Sequence, residues 1–298
     1  MKKTLTTLAV VVLAIASTQA QGLISYEGFA IPPYQVGTSV NDAPNATANP
    51  TAWNGSWYNG SGGTGNNQIA NNTLSYTDSN NVSLTVSVGH MNITGNDRDA
   101  RALPIPLITT ISPSLIDGGK IGGSNASGTL YLSFLMTAPT NPGFAALELH
   151  DGFAQDSNRR FEIRHGPLGF EAKADLDGGG TDGPNDASVG LGIDPDANFF
   201  VVKFEFNAGA NNDKITVWRN PLLGLNDDPN GIPLTTTFNL QFTDLAVANF
   251  SGGNFLFDEI RWGLTWDAVA IPEPSTYALI IGGALLLGIM IRRRNQRA

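Results

Sequence analysis

Four carboxylates stand within one glycine-rich stretch, Asp175-Leu176-Asp177-Gly178-Gly179-Gly180-Thr181-Asp182-Gly183-Pro184-Asn185-Asp186. A calcium ion takes roughly six to eight oxygen ligands and tolerates a flexible loop. Asp175, Asp177, Asp182 and Asp186 are therefore candidate metal ligands, and calcium is the one cofactor for which the sequence offers a site. The loop departs from an EF-hand. Gly179 holds its fifth position, Asp186 replaces the closing glutamate, and no helices flank it. A solvated turn is the competing reading, as it is for the oxygen-rich Asn226-Asp227-Asp228-Pro229-Asn230.

Glycoside cleavage asks for two carboxylates on one face, about 5 Å apart when configuration is retained. On a strand that means a spacing of two or four residues. Glu148 and Asp151 are three apart, so a regular strand turns them to opposite faces. Glu162 and Arg164 share a face, which predicts a solvated, salt-bridged strand. The Glu-x-Asp-x-x-Glu pattern of jelly-roll glycanases is missing. So are a Gly-x-Ser-x-Gly elbow, a His-Glu-x-x-His pair and a phosphate loop. The chain has no cysteine, which excludes thiol catalysis and zinc–thiolate centres. These readings point away from an enzyme.

Sugar binding needs exposed aromatic faces beside hydrogen-bonding groups. Trp53, Trp57 and Tyr58 lie in a polar, glycine- and asparagine-rich segment, residues 41–72, and are candidate stacking platforms. The alternative is that they plug the end of a core. Trp218, Trp262 and Trp266 fall on strand patterns and read as core.

The elements that must carry these residues are strands. Apolar residues alternate with polar ones in Val82–Val88, Ile24–Phe29, Leu130–Met136, Ala145–His150, Arg160–Arg164, Phe170–Ala174, Phe199–Phe206, Ile215–Arg219 and Phe255–Trp262. Turn formers separate them, as at Asp151-Gly152 and Gly166-Pro167. No helix longer than two turns is expected before Pro272. The pattern predicts an all-β protein, an antiparallel two-sheet sandwich. The order from GTLYLSFLM through FVVKFEF and ITVWRNP to FLFDEIRWGLTW resembles concanavalin A-like, laminin-G-type jelly-roll domains, and this resemblance spans roughly residues 23–268.

Both ends differ from this body. Lys2 and Lys3 precede an apolar run and Thr18-Gln19-Ala20, the layout of a signal peptide cut between Ala20 and Gln21. At the other end Pro272-Glu273-Pro274 precedes Tyr277–Ile291, which carries no charge. Arg292, Arg293, Arg294 and Arg297 follow. An apolar helix of about 17 residues or more can cross a bilayer, and the arginines keep its end in the cytoplasm. Tripeptide, helix and basic end together resemble the PEP-CTERM sorting signal of Gram-negative bacteria. That resemblance implies an exosortase that recognises Pro272, Glu273 and Pro274 and passes the chain to the cell surface or extracellular matrix.

The expected organisation is thus signal peptide 1–20, sandwich 21–268, linker 269–274, and membrane helix with basic tail 275–298. Residues 21–271 hold 11 basic and 25 acidic residues, a net charge of −14. Such a surface will not hold nucleic acid by charge. The expected role is structural or adhesive, associated with exopolysaccharide. A lectin-like carbohydrate-binding module, calcium-dependent or not, is the alternative, and a divergent glycan hydrolase comes third. Signal peptidase, exosortase and the membrane are the expected partners in processing.

Overall fold

A computed structural model describes residues 22–270, apart from 43–52, 62–66, 85, 138–143, 176–185, 194–195, 210, 224–227, 237 and 251–252. The cleavage site Ala20–Gln21, the Pro272-Glu273-Pro274 motif, the membrane helix and the tail arginines lie outside the described residues. Among those described, no helix is long and apolar enough to cross a membrane.

Apolar side chains at every second position make strands, and among the described residues fifteen of them form two main sheets, beside a small three-stranded sheet. In chain order they are Leu23–Glu27 (β1), Tyr58–Asn59 (β2), Gln68–Ala70 (β3), His90–Ile93 (β4), Asp97–Ala102 (β5), Gly128–Thr137 (β6), Ala145–His150 (β7) and Arg159–Gly166 (β8). Gly169–Ala174 (β9), Ala187–Gly192 (β10), Ala197–Phe206 (β11), Lys214–Arg219 (β12), Ile232–Thr235 (β13), Asp244–Asn249 (β14) and Phe255–Gly263 (β15) complete them. One sheet runs β13-β12-β11-β6-β15-β4-β3, with β1 also paired to β15. The other runs β10-β9-β8-β7-β14-β5-β2. Each pairing is antiparallel, as in the register of β6 with β11, and the expected sandwich is the fold observed. Two short helices, Ile105–Ile111 (α1) and Trp266–Ala270 (α2), are the α-helices among the described residues.

The core fills the space between the sheets. Leu132, Phe134 and Met136 of β6 and Phe200, Val202 and Phe204 of β11 meet Leu147 and Leu149 of β7, Phe161 and Ile163 of β8, and Leu245 and Val247 of β14. Edge-to-face ring contacts cross the gap, Phe161 to Phe204 at 5.3 Å and Phe170 to Phe200 at 5.1 Å between centroids. Trp262 is wholly buried in the same core.

A second apolar layer coats the outer face of the larger sheet. Tyr131, Leu135, Phe199, Val201 and Trp218 point away from the core and are covered by Leu74, Tyr76, Leu84 and α2. Trp218 and Trp266 pack ring to ring at 4.9 Å, and Ser133 Oγ donates to the Val269 carbonyl at 2.7 Å. The chain therefore reaches Ala270 still docked on the sandwich.

One expected strand is not a ladder strand. In Val82–Val88 the residues alternate, but among the described residues pairing is limited to an isolated bridge between Thr77 and Ser83. Its backbone groups go elsewhere. Ser87 N–H donates to Glu259 Oε1 at 2.7 Å, and the Val88 carbonyl accepts from Ile31 N–H at 3.1 Å. Leu84 is buried in the second layer while Val82 and Val88 are exposed. The register of β15 breaks between Asp258 and Arg261, and Glu259 sits in that bulge at φ 55° with its carboxylate accepting the Ser87 N–H.

Candidate functional site

The seven-stranded sheet has one face in the core and one facing away from it. Its outward residues can be read from register. Ser188, Lys173, Glu162, Glu148, Ala246, Ala100 and Tyr58 stand side by side across β10, β9, β8, β7, β14, β5 and β2. Their strand neighbours Leu147, Leu149, Phe161, Ile163, Leu245 and Val247 point into the core. The outward row is charged on its β7–β9 half. On the β14–β5–β2 half, Ala100 and Ala246 form a small apolar floor with Ala154 and Tyr58.

Glu148 is the centre of the charged half and is fully buried. Arg98 Nε reaches its Oε2 at 2.8 Å and Arg98 Nη2 its Oε1 at 3.3 Å, a two-pronged grip. His150 Nε2 lies 2.9 Å from Oε2, and His150 Nδ1 lies 3.2 Å from the Gln155 carbonyl. Arg159 Nη1 stands 3.5 Å from Glu148 Oε1 and 3.4 Å from Glu162 Oε2, bridging the two carboxylates. Burial by itself would raise the Glu148 carboxyl. The His150 hydrogen bond and the charges of His150, Arg98 and Arg159 outweigh it and hold it at about 2.

Glu162 sits directly across the strand boundary from Glu148. Its carboxyl is pushed up to about 7, first by burial and then by the Glu148 charge, against the pull of Arg159, Arg164 and Lys173. Two neighbouring carboxyls are thus driven apart, one ionised and one holding its proton near neutrality. That is the electrostatic pattern of an acid–base pair. Neither oxygen pair is open to a substrate, however, because both side chains are buried and a general acid must lie within hydrogen-bond reach of its target.

Aromatic rings rim this face. The Arg98 guanidinium lies 4.7 Å from the Phe250 ring centroid, and its Nη2 reaches Asp156 at 2.5 Å. Tyr58 stacks on Phe153 at 5.5 Å. Phe153 is 52 % exposed and Phe250 41 %.

The residues singled out by sequence are placed as follows. Trp53 and Trp57 are 4 % and 3 % exposed, so the expectation of open stacking platforms is corrected for both. Their indole N–H groups donate to the Tyr26 carbonyl and the Tyr34 hydroxyl. Their rings flank the Arg101 guanidinium at 5.4 and 5.8 Å. Arg101 in turn pairs with buried Glu27 at 2.8 Å. A cation from the chain itself occupies the aromatic faces. Tyr58 alone of the three belongs to the outward row.

Of the four loop carboxylates, Asp177 and Asp182 lie outside the described residues. Asp175 Oδ2 is 3.3 Å from Arg159 Nη2, and Asp186 Oδ2 is 3.1 Å from Lys173 Nζ. Both described ends of the loop are thus drawn to arginine and lysine. Asp228 caps its own turn, accepting from Leu222 and Asn230 N–H groups. Among the described residues no three carboxylate, imidazole or thiol groups converge as metal ligands. The expected solvated strand at Glu162 is corrected too, since Glu162 is buried with three cations around it.

Asp151 lies past the end of β7, held by Lys120 at 2.8 Å and by Gln241 Nε2 at 2.8 Å. Lys120 is over a third exposed, so this pair contributes little. Lys120→Ala should lower unfolding free energy by no more than about 1 kcal/mol, read from urea denaturation.

The pairing of Glu148 with Glu162 was missed because it depends on register between two strands, which spacing along the chain does not encode. Arg98 and Arg159 were missed for the same reason. The one available signal was the density of charge in DRDARA and RRFEIRH, unusual for strands with a buried face.

Residues 270–294 match the PEP-CTERM protein-sorting motif. No curated protein matches the chain. Among solved structures, the botulinum neurotoxin serotype D binding domain is similar over 82 % of this chain and 48 % of its own, at 8 % identity and TM-score 0.40. The chain thus spans about half the length of the neurotoxin binding domain it resembles. Lectin I-B4 from Griffonia simplicifolia, in its metal-free form, is similar over 69 % of this chain and 91 % of its own, at 9 % identity and TM-score 0.32. A family 7 alginate lyase is similar over 63 % and 91 %, at 11 % identity and TM-score 0.32. Likeness at this level says nothing about activity.

Proposed function

We propose that this chain is exported, sorted by an exosortase to the cell surface or extracellular matrix, and serves there as a structural or adhesive protein associated with exopolysaccharide. One observation carries the reading: the sorting motif begins at residue 270, the last residue of the helix docked on the sandwich. Whatever the sorting machinery handles is therefore this sandwich, delivered on a very short tether. In this reading signal peptidase cuts after Ala20. The helix after Pro274 holds the chain in the membrane, with Arg292, Arg293, Arg294 and Arg297 inside, until the exosortase acts at Pro272-Glu273-Pro274. A net charge of −14 keeps the body off nucleic acid.

No catalytic role is proposed. The two carboxyls with separated proton affinities are buried among arginines, an arrangement that supports a scaffold rather than a reacting centre. A second reading, a carbohydrate-binding module, is favoured by exposed Phe153 and Phe250 rimming a face floored with alanine. Rings so placed can stack on pyranose faces.

Deleting residues 272–298 should move the protein from the envelope fraction to the medium, read by immunoblotting of fractions. Unchanged surface retention would refute the sorting assignment. For the second reading, full-length protein is tested on bacterial polysaccharides, with Phe153→Ala and Phe250→Ala as controls. Binding lost in either variant supports the module, and no binding to any glycan leaves the structural role.

A further inference from the structure

Five neighbouring strands of the seven-stranded sheet, β10, β9, β8, β7 and β14, finish at one end in apolar residues. Register sets His165 and Asn249 opposite Ala145, Gly166 opposite Gly169, and Gly192 opposite Phe170. Phe144, the turn at Leu168, Ile193 and Phe250 therefore stand along the same end. The Phe250 N–H donates to the Phe144 carbonyl at 2.8 Å, while the Phe250 ring lies over Arg98 and belongs to the outward face. A β-carbon added at Gly166 would lie 3.2 Å from the Phe144 ring, and one at Gly169 2.7 Å from Ile193 Cγ1, so Leu168 rises between these two side chains. Leu168 is 92 % exposed, Ile193 71 % and Phe144 42 %. Hairpin tips ordinarily carry glycine, proline or small polar residues, and large apolar groups exposed together mark a surface that meets a protein or a membrane. On a body of net charge −14, no charged residue occurs at 144–145, 166–169, 192–193 or 249–250.

The path of the chain says what this end faces. Phe170 meets Phe200 at 5.1 Å and His165 meets Phe255 at 6.0 Å. The apolar end thus matches the end of the larger sheet where Thr137 pairs with Ala197. The chain leaves β15 away from that end, with Gly263 opposite Tyr131, and then turns back. Ser133, which donates to the Val269 carbonyl, stands two residues nearer to Thr137. From Ser133 to Thr137 is about 13 Å of strand. Five residues lead from Ala270 to Ser275, where the expected membrane helix starts, and extended chain of that length spans at most about 17 Å. The tether is long enough to let the apolar end touch the bilayer and too short to let the body move far from it. The face beside α2 is also within reach, but it carries Lys203, Glu205 and Asp267.

We infer, building on the anchored state proposed above, that the sandwich stands end-on against the lipid surface until the exosortase acts, with Leu168, Ile193 and Phe144 entering the boundary between headgroups and acyl chains. Three such side chains hold a membrane weakly by themselves. A short tether makes the contact intramolecular, at an effective concentration on the order of millimolar, and a weak contact then suffices. Its basis is apolar burial. The end carries no lysine or arginine, and the acidic body is repelled by anionic lipid. Docked in this way, the body keeps Pro272-Glu273-Pro274 at the bilayer surface, where a membrane enzyme can reach it.

The test reconstitutes full-length protein into phosphatidylcholine vesicles that carry a nitroxide on a fraction of their headgroups. The chain has no cysteine, so a thiol-linked fluorescent dye can be placed at will. Gly190→Cys puts it near the apolar end, at an exposed site with open space around its β-carbon. Ile111→Cys puts it at the far end, in α1 beyond the Ala102–Asp244 pair. Flotation of the vesicles shows whether the chain is anchored. Quenching is expected at position 190 and not at 111, and mixing in phosphatidylglycerol should not increase it. It should be lost in the double variant Leu168→Asp with Ile193→Asp, whose folding is checked by thermal melting. Anchored protein with no more quenching at 190 than at 111, or with undiminished quenching in the folded double variant, overturns the docked end and leaves the anchor reading standing. Quenching that requires phosphatidylglycerol overturns its apolar basis. Protein that fails to float with the vesicles refutes the anchor, and the docked end with it.

Discussion

Replacing Glu148 with alanine should cost about 3–5 kcal/mol of unfolding free energy at neutral pH, the typical loss when one partner of a buried ion pair is removed. The cost comes from what remains. Arg98, Arg159 and His150 all converge on this one carboxylate, and none of the three side chains is more than slightly exposed. Without it, the Arg98 guanidinium beneath Phe250 keeps only Asp156, and Arg159 keeps Glu162 and Asp175. Glu148→Gln keeps the shape and an acceptor oxygen and should cost less. The dependence on pH has a definite sign. The folded carboxyl titrates at about 2, below its ordinary value of 4.5. Its stabilisation is therefore complete above pH 4.5 and is lost as pH falls toward 2. Urea denaturation at pH 7 and pH 3 measures both effects. A loss under about 1 kcal/mol at pH 7 would mean that the cluster is solvated in solution and that the scaffold reading of this face is wrong.

Glu162→Gln should have the opposite outcome, a gain. The Glu162 carboxyl is raised from 4.5 to about 7 by burial and by Glu148 across the strand boundary. A displacement of that size corresponds to about 3 kcal/mol. For a raised carboxyl the folded chain binds more protons than the unfolded chain between these two values. Stability then declines as pH climbs from 4.5 to about 7, and the full penalty is present above 7. Glutamine cannot ionise, so the variant should be more stable than the parent by up to about 3 kcal/mol at pH 8 and nearly equal to it at pH 4. Urea midpoints at the two pH values decide the matter, and a gain of the same size at both would remove ionisation as its cause. The two carboxyls face one another, so the pair titrates together and the two variants should not be additive.

Much of the sandwich could be read from the residues. Ala145–His150, Phe199–Phe206 and Phe255–Trp262 alternate clearly because one face of each is buried in the core, and each is a strand within a residue or two of the expected bounds. Asp97–Ala102 could not be read. DRDARA alternates charge with charge and alanine, and its two arginines are neutralised by Glu148 and Glu27, 50 and 74 residues away in sequence, which lets it lie as a buried strand beside the edge strand β2. Val82–Val88 misled in the other direction, since alternation shows that a segment has two faces and says nothing about whether a partner strand is free to pair with it.

The candidate site divides along the same line. By itself the sequence determined the features that depend on order along the chain: the alternating strands, the acidic body without cysteine, and a sorting motif whose tripeptide, apolar run and arginines are meaningful because they are consecutive. Tertiary structure alone decided that Trp53 and Trp57 stack on Arg101 and not on a sugar, and that Glu162 opposes Glu148. The physical reason is range. Periodicity and linear motifs are set by neighbours a few residues apart, whereas burial and proton affinity are set by whichever distant charges and apolar surfaces the sheet register brings alongside.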